Sequence, residues 1–195
     1  MKALIVFSHP NPGSFNAHLL AKVRQTLADR GAETRLIDLY DEDFNPVMSR
    51  EEREGYHTHC ENELPVAEHL ADLRWCDTLI FIYPTWWFGL PAMLKGWLDR
   101  VFVPHATFTM PTAETPMAGQ LHHISTIAVI TTCGARWWQS KVIGEPGRKT
   151  LLRGIRFLVH PRCKTRYSAL YKIDSSSVKD RERYVARVSA MVARL

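Results

Sequence analysis

The sequence predicts an α/β chain built on a doubly wound, five-stranded parallel sheet with helices on both faces. Three observations carry that expectation. The runs KALIVFS, DTLIFIY and ISTIAVITT are largely apolar and β-branched, as in strands buried on both sides. Segments with apolar residues three and four apart stand between such runs, so strands and helices alternate. The 195 residues, 46% of them hydrophobic, suffice for one domain over 1–195 that needs no disulfide or structural metal to fold.

Each element has a local reason. Lys2–Ser8 is the first strand, and it stops at His9-Pro10-Asn11-Pro12-Gly13, where two prolines and a glycine disfavour helix and strand alike. Ser14 then precedes a helical pattern of Phe15, Leu19 or Leu20, Val23 and Leu27, with Gly31 as the stop signal. Glu33–Leu39 is the second strand. Tyr40 to Glu63 is a polar, mostly acidic connection, long enough to imply a functional excursion or short helical pieces of its own. Leu64–Trp75 suits a helix and Asp77–Tyr83 a third strand. After an aromatic loop, Pro91 opens a helix at a first-turn position, with Leu90, Leu94, Trp97 and Val101 on one face. Ile124–Thr132 is the fourth strand, Gly147–Leu158 is helical, and a short fifth strand lies between Phe157 and Tyr171. Val178–Leu195 closes the chain as an amphipathic helix striped by Val178, Val185, Val188, Val192 and Leu195.

Composition removes several classes. The apolar run near the amino end is too short for a signal peptide, the stretch from Thr78 to Leu94 is broken by Pro84, Gly89 and Pro91, and that from Thr115 to Ala135 is too polar, so no membrane insertion is expected. Cys60, Cys76, Cys133 and Cys163 form no CxxC pair, which argues against zinc and dithiol chemistry and fits a reducing cytoplasm. His57-Thr58-His59-Cys60 has metal-competent side chains without further ligands at a known spacing, and no metal is expected. The net charge of +5 conceals an asymmetry: residues 1–135 hold 10 Lys/Arg against 16 Asp/Glu, and residues 136–195 hold 15 against 4. The basic end lacks any recognisable nucleic-acid motif. Part of its charge is the solvated face of the last helix, whereas Arg136, Lys141, Arg148 and Lys149 follow the fourth strand and would form a cationic rim attractive to NAD(P)H or to flavin phosphates.

In a doubly wound sheet ligands sit beyond the carboxyl ends of the strands. That directs attention to three loops, at 9–14, 84–91 and 132–147. The first opens a helix at Ser14, where unsatisfied N–H groups and the dipole suit a phosphate, with His9 and Asn16 as further donors; Ser14 is equally explained as an ordinary N-cap. The second packs Trp86, Trp87 and Phe88 into a turn, too many consecutive aromatics to face one core, so it reads as a platform for a flat aromatic ligand or as a dimer patch. The third, Thr131-Thr132-Cys133-Gly134-Ala135-Arg136-Trp137-Trp138, adds hydroxyls, a glycine and two more indoles. There is no GxGxxG and no P-loop. A phosphorylated aromatic cofactor, a flavin nucleotide, answers all three loops together.

SHPNPGSFN at 8–16, YPTWWFGLPAMLKGWLDRVF at 83–102 and ITTCG at 130–134 resemble the NAD(P)H:quinone oxidoreductase family, the DT-diaphorase-like flavoproteins and their bacterial modulator-of-drug-activity relatives. The resemblance runs from Met1 to about Gly134. It implies a flavodoxin-like homodimer holding FAD (FMN in shorter relatives), with hydride passing from NAD(P)H to the flavin and then to a quinone-like acceptor. It assigns His9, Ser14, Phe15 and Asn16 to the pyrophosphate side. Pro84, Thr85, Trp87 and Phe88, with Trp86 nearby, would line the isoalloxazine, and Thr131, Thr132, Cys133 and Gly134 would cover its other polar edge. The long 40–63 connection would help to cover an adenosine half. Two departures stand out. Cys133 replaces the first of a glycine pair, and the tyrosine and histidine that the family carries further along that loop are missing, which leaves Arg136, Trp137 and Trp138 to line the site. No side chain need act as a nucleophile, because the cofactor carries the redox chemistry. The alternative reading is a flavin-binding accessory subunit of a potassium efflux system.

Overall fold

The computed structural model describes residues 1–195. Five strands, β1 (Lys2–Phe7), β2 (Glu33–Asp38), β3 (Thr78–Thr85), β4 (Thr126–Cys133) and β5 (Lys164–Tyr171), pair in the order β2-β1-β3-β4-β5, all parallel. The helices are α1 (Phe15–Asp29), α2 (Arg50–Glu54), α3 (Ala67–Trp75), α4 (Ala92–Val101), α5 (Trp137–Ile143), α6 (Pro146–Lys149) and α7 (Val178–Val192). This is the doubly wound sheet that the alternation of apolar runs predicts. No helix is long and apolar enough to cross a membrane.

The central strands are apolar on both sides because each side is a core. Leu4, Val6, Leu79, Phe81, Ile127 and Val129 face the larger one, closed by α3, α4 and the 151–163 segment. Ala3, Ile5, Phe7, Ile80, Ile82, Ala128 and Ile130 face the other, closed by α1 and α7. Fully burying side chains of this size contributes about 1.5–3 kcal/mol each. In α4, Leu94, Trp97 and Val101 are fully buried as their spacing predicts. In α7 the stripe is corrected: Tyr184, Val188 and Val192 are buried, Val185 only partly, and Val178, the first helical residue, is exposed. Tyr184 takes the place expected of a valine because its hydroxyl reaches the carbonyls of Thr131 and Ser168, 2.9 Å from each.

Several boundaries differ from the sequence reading: β1 and β4 shift by one or two residues, the helix expected from Leu64 starts at Ala67 after a 3-10 turn (Glu61–Val66), and three differences are larger. β3 runs on through Pro84 and Thr85. The Ile82 carbonyl accepts from Ser8 N–H on the β1 side, so Pro84, two residues on, faces the same side beyond the last paired residue of β1. Its missing N–H therefore costs no ladder bond there. Second, Pro91 is the N-cap of α4 and not its first turn. Third, the expected helix over 147–158 is three short pieces, α6, a π-helical turn (Thr150–Gly154) and a 3-10 turn (Ile155–Phe157).

The 40–63 connection contains α2, opened by a reciprocal Ser49–Glu52 capping box. It is strapped along α4: Arg100 pairs with Glu52, Tyr56 Oη donates to the Phe102 carbonyl at 3.4 Å, and Asn62 Nδ2 donates to the Pro104 carbonyl at 2.8 Å. The strap lies so close that a Cβ on Gly96 would stand 2.1 Å from the Pro46 carbonyl oxygen. Gly96→Ala should therefore destabilise the fold by about 1–3 kcal/mol through overpacking against backbone. Chemical denaturation reads this, and an unchanged midpoint would show that the strap yields freely.

Candidate functional site

The loop after β1 is held by its own polar groups. His9 Nδ1 accepts from Asn11 N–H at 3.0 Å, Asn11 Oδ1 accepts from Gly13 N–H at 2.8 Å, and the Asn11 carbonyl accepts from Ser14 N–H at 3.1 Å. Ser14 caps α1, its Oγ accepting from Ala17 N–H at 3.1 Å. The acceptor capacity of Ser14 is thus used by the helix, as the ordinary reading of a serine there predicts, while its O–H proton is left for another partner. The backbone N–H groups of Phe15 and Asn16 have no acceptor within the chain. A helix start with free N–H groups favours an anion. Arg181, from α7, adds a cation here, its guanidinium carbon 5.8 Å from the centre of the Phe15 ring.

The loop after β3 is a tight turn with two non-glycine residues in left-handed backbone, Trp87 (φ 48°) and Phe88 (φ 60°), closed by Gly89 N–H donating to the Trp86 carbonyl at 2.9 Å. Bulky side chains seldom adopt that conformation, and each costs of order 1–3 kcal/mol. In return the turn projects rings outward: Trp86 and Trp87 are exposed, Trp87 at 97% of its surface. The N–H groups of Trp87 and Phe88 have no internal acceptor. Trp86 leans toward the first loop, its ring 6.4 Å from that of His9.

Beneath the loops the ends of β3 and β4 are joined by polar side chains. Thr85 Oγ1 and Thr131 Oγ1 lie 2.8 Å apart, and Asn16 Nδ2 donates to Thr132 Oγ1 at 3.0 Å across 116 residues of sequence. Asn16 is buried, and its Oδ1 has no partner within the chain. A buried amide oxygen left unpaired costs about 1–3 kcal/mol, so it marks a place where a donor is expected. Cys133 is buried with Sγ 3.6 Å from Ser140 Oγ. The thiol's hydrogen-bond partner is a hydroxyl, and no histidine or carboxylate bonds to it as an activating base would.

These parts enclose one cleft of about 680 Å³ at the carboxyl edge of the sheet. Of the residues expected at the site, Pro84, Thr85, Trp86, Trp87, Phe88, Thr132, Cys133 and Gly134 line it. Thr131 lies under its floor, while His9, Ser14, Phe15 and Asn16 form the adjoining helix start. Arg136, Trp137 and Trp138 are not brought to its wall: they begin α5, a helix that the sequence reading took for loop, and both indoles are largely exposed. The 40–63 strap, bound along α4, contributes nothing to the lining either. Ala135, Ile173 and Asp174 were missed. The signal for the last two was available, because the rule that ligands collect at carboxyl strand ends applies equally to β5. Asp174 also explains Gly134, since a Cβ there would stand 2.7 Å from its carboxylate oxygen. Away from the cleft, His59 Nδ1 lies 3.5 Å from Cys60 Sγ, and no group of three or more His, Cys, Asp or Glu gathers to hold a metal ion.

A family model described as flavodoxin-like fold matches residues 1–156. Among curated proteins, the NAD(P)H dehydrogenase [quinone] 1 of Rattus norvegicus is 34% identical over 150 residues, 69% of this chain and 54% of that protein. The chain spans about half the length of the curated relatives it matches. Among solved structures, the protein Smu.1420 of Streptococcus mutans UA159 aligns over 100% of both chains with 31% identity and a TM-score of 0.83. The NAD(P)H:quinone oxidoreductase of Methanothermobacter marburgensis has a TM-score of 0.82 over 100% of this chain and 96% of its own, at 23% identity, a likeness of fold.

Because its Nδ1 accepts from Asn11, a neutral His9 carries its proton on Nε2. Burial lowers its pKa below the ordinary 6.5. A depressed histidine pKa gives stability that is full above 6.5 and is lost as pH falls below that value toward the folded pKa. The ligand-free chain should lose stability over that interval, and His9→Asn should flatten the profile there. An NMR titration placing the ring at or above 6.5 would contradict this.

Proposed function

The chain belongs to the family of flavodoxin-like fold proteins, and from that premise we propose that it is a flavin-dependent NAD(P)H oxidoreductase acting on a quinone-like or other electron-poor aromatic acceptor. The observation that carries the proposal is the meeting, at one sheet edge, of an anion-binding helix start with an aromatic cleft whose donors are unpaired. The 34% identity to a quinone dehydrogenase supports the same activity.

The residues present fit a flavin nucleotide. The cleft volume lies within the range of cofactor sites. The free N–H groups of Phe15 and Asn16, the Ser14 hydroxyl and Nε2–H of a neutral His9 form a donor set for phosphate oxygens. The free N–H groups of Trp87 and Phe88 are aimed from a strained turn at the polar rim of a flat ring, and Trp86 supplies a face for it. The unpaired Asn16 Oδ1 awaits a donor. A bound flavin would supply the two-electron redox chemistry, for which no nucleophile or metal of the protein is required. The chain's own part is to bind and orient: Thr85, Thr131, Thr132 and Asn16 are locked to one another, so the cleft floor needs no rearrangement on binding. FAD is the form that the family motifs favour over FMN. Covering the cleft is left to a second copy of the chain, a homodimer that would bury the exposed Trp87.

With bound flavin, the purified protein should oxidise NADH or NADPH steadily when a quinone is supplied. Asn16→Ala should weaken flavin binding about tenfold, the scale of one lost hydrogen bond at a buried site, with the apo fold retained. Unchanged affinity in that variant would contradict the placement. Tight flavin without turnover would replace the enzyme by a flavin-binding accessory subunit.

A further inference from the structure

Residues 141–166 hold eight lysines and arginines and one acid, Glu145. The structure divides these cations by role. Lys141 and Arg148 are consumed by Glu145, whose Oε2 they approach at 2.6 and 2.9 Å, while its Oε1 accepts from Tyr171 Oη at 2.5 Å. Burial alone would raise the Glu145 pKa, but these three partners outweigh it and hold the carboxyl below its usual range. Lys164 and Arg166 lie on β5, the outermost strand, where charge guards an open edge against pairing with another chain. Arg162 lies in the turn before β5, apart from the other three, which leaves Lys149, Arg153 and Arg156. They are exposed, make no ion pair, and stand one each on α6, the π-helical turn and the 3-10 turn, lining one hollow together.

These three cations surround a hollow of about 390 Å³, whose floor includes Thr165 of β5. Its one acid is the Glu145 carboxylate, already neutralised by Lys141 and Arg148, so the hollow is cationic. It also lies near the flavin cleft. A narrow gap between the two shares Thr85, Phe88 and Cys133 with the cleft, and Glu145 and Arg148 with the hollow. A dinucleotide whose nicotinamide end lies at the cleft carries its adenosine end away from it, and NADPH differs from NADH only by a phosphate on that adenosine.

We propose that this hollow binds the 2′-phosphate of NADPH, with Arg153 and Arg156 as the recognising residues and Lys149 beside them, so that the protein prefers NADPH to NADH. Guanidinium groups suit this role because their donors meet phosphate oxygens in pairs and they keep their charge at any physiological pH. The preference rests on the reading of the chain as an NAD(P)H oxidoreductase; anion binding by the hollow can be read without it.

The test uses the full chain and its Arg153→Gln/Arg156→Gln double variant, with the exposed Arg24→Gln as control. In thermal shift experiments on the flavin-free protein, adenosine 2′,5′-bisphosphate should raise the melting temperature of wild type and control more than adenosine 5′-monophosphate does. The double variant should lose that difference. With flavin bound, its KM for NADPH should rise about tenfold while KM for NADH and both kcat values stay within twofold. Equal protection by the two nucleotides in wild type, or an equal rise in both KM values, would overturn the proposal. A protein that oxidises neither nucleotide yet shows the 2′-phosphate-dependent shift would contradict the oxidoreductase reading and the NADPH preference, leaving only an adenosine bisphosphate site.

Discussion

The register of β1, β3 and β4 is the constraint on which the rest of the structure depends. Phe7 lies opposite Ile82, and Thr85 opposite Cys133, so β3 and β4 finish together and β1 stops three residues short of them, where its loop begins. Because both sides of the sheet are packed cores, polar chemistry has no place along the strands and collects at their ends. Slipping β4 by one residue would turn Ile127 and Val129 from one core to the other and take Thr131 from Thr85. The site is therefore a product of strand pairing first and of loop composition second.

That dependence explains what was legible in the sequence. Ala3 to Phe7 and Leu79 to Tyr83 are apolar at every position, which only two-sided burial explains, and the positions of the ligand loops follow from it. That at least one of Trp86, Trp87 and Phe88 would leave the core was also legible, since three adjacent rings cannot share one core; which of them do so, Trp86 and Trp87, was not. Nor was long-range polar pairing. Nothing near Asn16 announces Thr132, and nothing near Tyr171 announces Glu145, because such bonds are set by tertiary distance. α5 escaped notice for a related reason: seven residues with two exposed indoles have no apolar stripe to reveal a helix. The short pieces that replaced the expected helix over 147–158 follow the same rule, since Leu151 and Ile155 anchor them to the core while their backbone departs from regular α geometry.

The charge asymmetry between the two ends of the chain resolves into separate local causes. Some of the basic residues lie on the exposed side of α7, some guard the edge of β5, and two hold the half-buried Glu145 carboxylate, which ties the loop after α5 to the end of β5. Among those left over, Lys149, Arg153 and Arg156 lie together around a hollow near the cleft. The acidic part of the chain has its own local uses, Glu52 in fixing the strap to Arg100 and Asp72 in pairing with Arg35 at 2.7 Å. Net charge alone does not tell a solvated basic face from an anion-binding one, whereas the grouping of three cations around one hollow favours a small phosphorylated ligand.

Part of the chain's backbone strain and one of its unpaired buried groups lie at the cleft. Trp87 and Phe88 hold an unfavourable backbone and leave their N–H groups without an acceptor, and Asn16 buries an oxygen without a donor. The most direct measurement of this account is the visible absorption spectrum of the protein as purified, followed by chromatography of any released chromophore. The account predicts a flavoprotein spectrum and one flavin nucleotide per chain. A colourless protein that takes up neither FAD nor FMN when they are added would contradict it.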